Sequence, residues 1–143
     1  MQTCVIISLG RVIHMIIQAL EKPFSICSFG QNADIDLSKF STAFIAHTSE
    51  GCSVICPSDE VPQDALARND GWRAVRIAPP VNRDMMGVLL DLSKIFALAE
   101  VSVMPVSTYD TMYFLLRSDG YLRALKNLQE NGYKIEITYL QTN

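Results

Sequence analysis

Between Met85 and Glu100 the apolar residues recur at spacings of three and four. Met85, Leu89, Leu92, Phe96 and Ala99 make one stripe, Val88 and Ile95 widen it, and Asp91, Lys94 and Glu100 lie off it. That period predicts an amphipathic helix with one buried face. A second helix is predicted to open at Ser118 or Asp119, both suited to N-capping, to carry Leu122, Leu125 and Leu128 inward, and to stop at Gly132. Between the helices, the run from Val101 to Arg117 reads as strand, Ser-Thr-Tyr-Asp turn, strand. In the second of these strands Met112, Phe114 and Leu116 share one face, and Tyr113, Leu115 and Arg117 the other. With WRAVRIAPP (72–80) in front and YKIEI (133–137) behind, the order is β-α-β-β-α-β, the split-βαβ unit of ferredoxin-like α+β domains.

Similar punctuation occurs earlier in the chain. At an offset of 60 positions, HTSEGCSVICPSD (47–59) aligns without gaps on STYDTMYFLLRSD (107–119). Thr48 then meets Thr108, Glu50 meets Asp110, Ser58 meets Ser118 and Asp59 meets Asp119. Each copy has a strand before its turn (STAFIA; VSVMPV) and one after it (CSVIC; MYFLL), and FSICSF (24–29) stands where WRAVRI stands in the second copy. The first copy is shorter between its first strand and its turn, which leaves room only for a reduced first helix. PSDEVPQDALARND likewise leaves little room for a full second helix. The expected organisation is a poorly specified N-terminal extension (1–14), a reduced unit (15–70) and a complete unit (71–143). Shared turn chemistry alone is the competing explanation of the match, and Met15 is an alternative start.

The chain has 143 residues, 49% of them hydrophobic and 19% charged, which indicates an ordered globule with one core or two small ones. A net charge of −3 without a Lys/Arg stripe argues against nucleic acid as a partner. The most hydrophobic run, VIISLGRVIHMIIQAL (5–20), is interrupted by Arg11, His14 and Gln18 and falls short of the roughly 20 apolar residues of a bilayer span. It lacks the basic start and small-residue cleavage site of a signal peptide. A buried strand or helix, no membrane association and a cytoplasmic location are the expectations. Cys4, Cys27, Cys52 and Cys56 fit no metal-ligand spacing. Cys52 and Cys56 face the same side of one strand, roughly 13 Å apart at strand rise, too far for a disulfide or a shared zinc. Free buried thiols, no metal and no cofactor are therefore expected.

The two turn segments also resemble a known family. Thr48, Ser49, Glu50, Gly51, Cys52, Ser53, Val54, Ile55, Cys56 and Pro57 are similar to the Thr-x-Asp-Glu-x-Ser-Val-Val-Cys-Pro run in the first copy of tandem ACT-like proteins, the CASTOR and bacterial ACT-domain group. Ser107, Thr108, Tyr109, Asp110, Thr111, Met112, Tyr113, Phe114, Leu115 and Leu116 are similar to the Ser-Thr-Tyr-Asp-Thr-Asp-Tyr-Ile-Leu-Val of the second copy. The resemblance covers roughly 15–137, with Met112 standing where the family is acidic and Gly51 where it carries Glu. It implies a ferredoxin-like, ACT-like fold and an amino acid bound in a cleft between ACT units. By that resemblance the ligand lies between the loop before the first helix (81–87) and the Ser-Thr-x-Asp turn.

Physical chemistry points to the same place. A helix starting at Met85, Met86 and Gly87 offers backbone N–H groups and a positive dipole end to an α-carboxylate, and Gly87 permits close approach. Asp110 suits an α-ammonium or a cationic side chain, and Ser107 and Thr108 suit neutral hydrogen bonds that orient the ligand. Thr48 and Glu50 are their counterparts in the first turn, and Asp84 completes the candidate set. Structural roles compete at each position: Asp110 suits hairpin capping, Asp84 suits the helix N-cap, and Met85 and Met86 suit core filling. Trp72 reads as a core anchor.

Catalysis finds no constellation. His47, Ser49, Glu50 and Cys52 are too close along one hairpin to converge, and no phosphate loop, zinc signature or nucleophile elbow is present. The expectation is a non-enzymatic regulatory or sensor module that binds an amino acid and forms a homo-oligomer, a dimer. The competing class is a dimerising structural or interaction module that has lost ligand binding.

Overall fold

The computed structural model describes residues 5–8, 11–79 and 85–138. Two long strands, β3 (Ile16–Phe29) and β6 (Ala67–Ile77), pair antiparallel along their length, from Ile17 opposite Ile77 to Ser28 opposite Ala67. A register shift falls between Ala19 and Pro23, where proline has no N–H to give to a ladder. The other edge of β3 is shared by two partners. β9 (Lys134–Thr138) runs parallel to residues 16–20, and β5 (Gly51–Pro57) runs antiparallel to residues 24–29. β4 (Phe44–Thr48) pairs with β5, β8 (Met112–Arg117) pairs with β6, and β7 (Val103–Ser107) lies outside β8. The order is β4-β5-β3-β6-β8-β7, with β9 on β3. In a ferredoxin-like unit beginning at Trp72, the last strand would lie beside the first. Here β3 stands between β9 and β6, so strands from both halves of the chain share one sheet.

The two helices, α1 (Met85–Leu98) and α2 (Tyr121–Glu130), cover one face of the sheet. Val88, Leu92, Ile95 and Phe96 of α1 and Tyr121, Ala124 and Leu128 of α2 pack on Ile17, Val75, Ile77, Phe114 and Leu116. The rings of Phe96 and Phe114 lie 5.4 Å apart. The α1 stripe is the one the periodicity predicts. The α2 stripe differs: a 3-10 turn over Ser118–Gly120 delays the helix, Gly120 sits at the cap without a side-chain bond, and Leu122 is 77% exposed. A run spaced only by threes drifts about 60° per turn, so Tyr121, Ala124 and Leu128 hold the inward centre instead. Gly132 adopts φ 93, as a helix stop requires.

On the N-terminal half, a short 3-10 turn spans Leu37–Lys39. Cys27, Phe29, Phe40, Cys52, Val54 and Cys56 form a small separate core under the loops, and the three described cysteines are free thiols. A second 3-10 turn, Ser58–Glu60, follows β5 and lies 60 positions before the one at Ser118–Gly120. The opposite sheet face carries Leu20, Phe24, Ala74 and Leu115. There the rings of Phe44 and Tyr113 meet at 4.8 Å although three strands separate β4 from β8, so the sheet curls until its flanks touch. Apart from Met15, the described part of the hydrophobic N-terminal run is strand: β1 (Val5–Ser8) and β2 (Arg11–His14) pair with each other before β3. Among the described residues no helix is long and apolar enough to cross a membrane.

Candidate functional site

The turn from β7 to β8 is built by its threonines. The Thr108 N–H donates to the Thr111 carbonyl at 2.8 Å, the Thr108 hydroxyl donates to the same carbonyl at 3.1 Å, and the Thr111 N–H donates back to Thr108 Oγ1 at 3.1 Å. Thr111 is buried, and its hydroxyl donates to the Ile77 carbonyl at 2.6 Å, tying the turn to the end of β6. This arrangement pushes Asp110 outward. The Asp110 carboxylate is exposed and makes no hydrogen bond or ion pair among the described residues.

Arg76 stands beside this turn. On β6 it pairs with Gln18 of β3 on one side and Tyr113 of β8 on the other, so the three side chains form a row across the sheet. Arg76 Nε donates to Gln18 Oε1 at 2.7 Å and Nη1 donates to the Tyr113 hydroxyl at 3.0 Å. Its guanidinium also lies 5.7 Å from the Tyr113 ring centre. Arg76, Pro79, Thr108, Asp110, Thr111 and Tyr113 enclose an open cleft of about 350 Å³. One cation and one anion therefore face a common space without pairing with each other.

The expected residues divide between places. Thr108 and Asp110 line the cleft, whereas Ser107, exposed at the end of β7, does not. Met85, Met86 and Gly87 open α1 but do not line it; Met85 packs on the helical core and Met86 is exposed. Asp84 and the rest of 81–84 lie outside the described residues. In the first turn Thr48 Oγ1 also accepts a backbone bond, but from the Glu50 N–H two positions on at 3.2 Å, where Thr108 accepts from Thr111 three positions on. Thr48 and Glu50 do not join the cleft. The β4–β5 turn lies beyond Phe29 at one end of the β3–β6 pair, and the β7–β8 turn lies at Ile77 at the other. Thr48 and Glu50 are thus registered to the opposite end of the β3–β6 pair from the cleft.

Arg76 was not among the sequence-derived candidates. Its signal was available: in Ala74-Val75-Arg76-Ile77 the flanking Val75 and Ile77 point to the buried face, which leaves a cation alone on the other. The imagined nucleophile set falls apart in space. Cys52 is buried while His47 is exposed, with Nε2 at 3.3 Å from the Gln31 carbonyl. Burial pushes the Cys56 thiol up to about 12, with neighbouring Cys27 adding to the rise, and burial raises Cys27 as well.

Two other clefts are lined by charged side chains. One of about 280 Å³ beside Leu98 and Glu100 holds Arg123, whose guanidinium donates to the carbonyls of Ala99, Glu100 and Asp119, and the pair Lys126–Glu130. The other, about 80 Å³, holds Asp34, Asp36, Asp64 and Lys39. Among the described residues no His/Cys/Asp/Glu group is arranged to hold a metal ion.

Solved structures share this architecture. A protein from Agobacterium tumefaciens is 20% identical, with a TM-score of 0.75 over 90% of this chain and 97% of that one. A Vibrio cholerae protein of unknown function, described as a possible transport protein, is 13% identical, with a TM-score of 0.66 over 82% and 90%. The aspartate kinase of Clostridium acetobutylicum is 9% identical, with a TM-score of 0.57 over 89% of this chain and 36% of the kinase. At these identities the likeness is one of fold. No curated protein matches the sequence. The architecture is ACT-like α+β, a curled, mainly antiparallel sheet with two helices, and residues 67–130, which carry β6, both helices and the Arg76–Asp110 cleft, match the protein-family model described as ACT domain.

Proposed function

We propose that this chain is a regulatory module that binds a small molecule, an amino acid, in the cleft at the β7–β8 turn, acts in the cytoplasm and catalyses no reaction of its own. One observation carries the reading: Asp110, without a partner among the described residues, shares a cleft of about 350 Å³ with the half-buried Arg76. An unpaired charge held at a cleft costs little until a complementary ligand arrives, and then contributes a charge-assisted hydrogen bond. The ACT-domain match over 67–130 supports a regulatory role, and the similar clostridial kinase is described as an allosteric enzyme.

We read the chain further as two ACT-like units, the first reduced. The paired 3-10 turns 60 positions apart and the Thr hydroxyl that accepts a backbone N–H in each turn support this. Thr48 and Glu50 do not line this cleft, and we read them as reaching a ligand at Asp110 from a second copy, which a homodimer would supply. Dimerisation without a ligand remains the competing reading, favoured by the exposed Met86, Leu90 and Leu98 on α1.

A thermal-shift screen against the twenty amino acids separates the two. A ligand at 100 times its dissociation constant adds about 2.7 kcal/mol, which raises the midpoint by several degrees, and Asp110→Ala removes the shift. Concentration-dependent melting with no amino-acid response gives the other answer.

A further inference from the structure

We infer that Arg76 is the carboxylate anchor of this site and that its ligand is a zwitterionic α-amino acid with an uncharged side chain, clamped between Arg76 and Asp110. The inference rests on the reading of the cleft as a small-molecule site.

A guanidinium presents five N–H donors in a rigid planar fork. In Arg76, Nε is taken by Gln18 and Nη1 gives one bond to Tyr113, while Nη2 makes no hydrogen bond among the described residues. Two strands thus hold the plane of the group and leave its outer edge for a bidentate acceptor. A carboxylate fits that edge, and little side-chain freedom remains to be lost on binding. Asp110 supplies the opposite charge from the turn. The two do not form an ion pair with each other, although both line the cleft. A molecule with a carboxylate and an ammonium on one carbon carries the charge complementary to each.

The remaining lining defines the side chain. The hydroxyls of Thr108 and Thr111 are engaged within the turn or with Ile77, so they shape the wall. Pro79 and the Tyr113 ring are apolar surface, and among the described residues no third charged side chain lines the cleft. A charged ligand side chain would find no further charged partner among the described lining residues to offset whatever hydration it loses. Neutral side chains are therefore preferred over those of lysine, arginine, aspartate or glutamate.

Calorimetric titration of the whole chain tests this. The twenty amino acids are titrated first. Each binder with an uncharged side chain is then compared with its amine lacking the carboxylate and its acid lacking the ammonium; for leucine these are isoamylamine and 4-methylpentanoate. We expect each single-charge analogue to bind roughly 10- to 100-fold more weakly than the parent. In Arg76→Gln the penalty for losing the carboxylate should vanish while that for losing the ammonium persists, and in Asp110→Asn the reverse should hold. A purely structural role for Arg76 would weaken every ligand alike. Should Arg76→Gln fail to fold, the exposed Asp110→Asn still reports its half of the clamp. A single-charge analogue binding as tightly as the amino acid, or variants that keep wild-type discrimination, would overturn the clamp and leave a small-molecule site standing. The same holds for a charged amino acid binding best. No binding by any of the twenty to folded wild type overturns both.

Discussion

Gly120 offers the sharpest test of the packing that holds α2 in place. It is buried at the junction of the 3-10 turn and the helix, with φ −110, a conformation alanine adopts freely. Its substitution is therefore a steric perturbation without backbone strain. An added Cβ would lie 2.7 Å from both Cβ and Cγ2 of Val101 and 3.1 Å from Arg123 Nη2. Carbon atoms pack best about 3.5–4.0 Å apart, so nearly an ångström must be found. Rotating the Val101 side chain cannot supply it, because Cβ is fixed to the backbone. That backbone is pinned: Glu100 is left-handed at φ 56, and Arg123 donates to the carbonyls of Ala99 at 3.0 Å and Glu100 at 3.2 Å. Overpacking of this kind costs about 1–3 kcal/mol, and the smaller unfolded-state entropy of alanine returns about 0.4–1 kcal/mol. Gly120→Ala should thus lose roughly 1–2 kcal/mol in urea denaturation and a few degrees in Tm. Gly30, with nothing within 4 Å of its would-be Cβ, is the control and should change by less than about 0.5 kcal/mol on substitution by alanine. A Gly120→Ala protein as stable as wild type would refute the reasoning.

Other perturbations report on other layers. Thr111→Val keeps the volume but removes the bond to the Ile77 carbonyl, and should cost about 1–3 kcal/mol by denaturation. Ser25 is fully buried, 2.7 Å from Ser58 Oγ and donating to Asp70 Oδ1 at 2.5 Å, so Ser25→Ala should cost a similar amount, about 1–3 kcal/mol. The Ser25 hydroxyl, then Arg68, hold the Asp70 carboxyl below its ordinary value, so its stabilisation is present above that value and lost as pH falls. In Ser25→Ala the acid limb of the stability profile should move upward, toward the ordinary carboxylate range. For Cys56 the sign reverses: the folded protein favours the neutral thiol up to about 12, so stability should be complete below pH 9 and decline above it, while native Cys56 resists thiol reagents at pH 8. Rapid labelling of Cys56 in the folded chain would contradict its burial.

Local patterns carried much of this fold. The α1 stripe was written in spacings of three and four, and the β8 alternation placed Met112, Phe114 and Leu116 on the helical core. What was not legible depends on long-range pairing. No property of residues 134–138 announces that β9 joins β3 instead of β6, because strand partnership is decided by what else competes for the edge. The α2 stripe was misplaced because the 3-10 turn shifts the helical phase by a few residues. Asp110 was legible as turn chemistry; Arg76 was not, since its importance appears only when β3, β6 and β8 set Gln18, Arg76 and Tyr113 in one row. Thr48 and Glu50 were chosen for local similarity, and local similarity says nothing of the two long strands that hold the turns apart.

The most direct test of the central claim is an amide-resolved NMR titration of the chain with the amino acid that gives the largest thermal shift. The account predicts saturable perturbations at Arg76 and across Thr108–Tyr113, absent in Asp110→Ala. Saturable perturbations confined to the cleft beside Arg123, or a spectrum indifferent to all twenty amino acids, would contradict it.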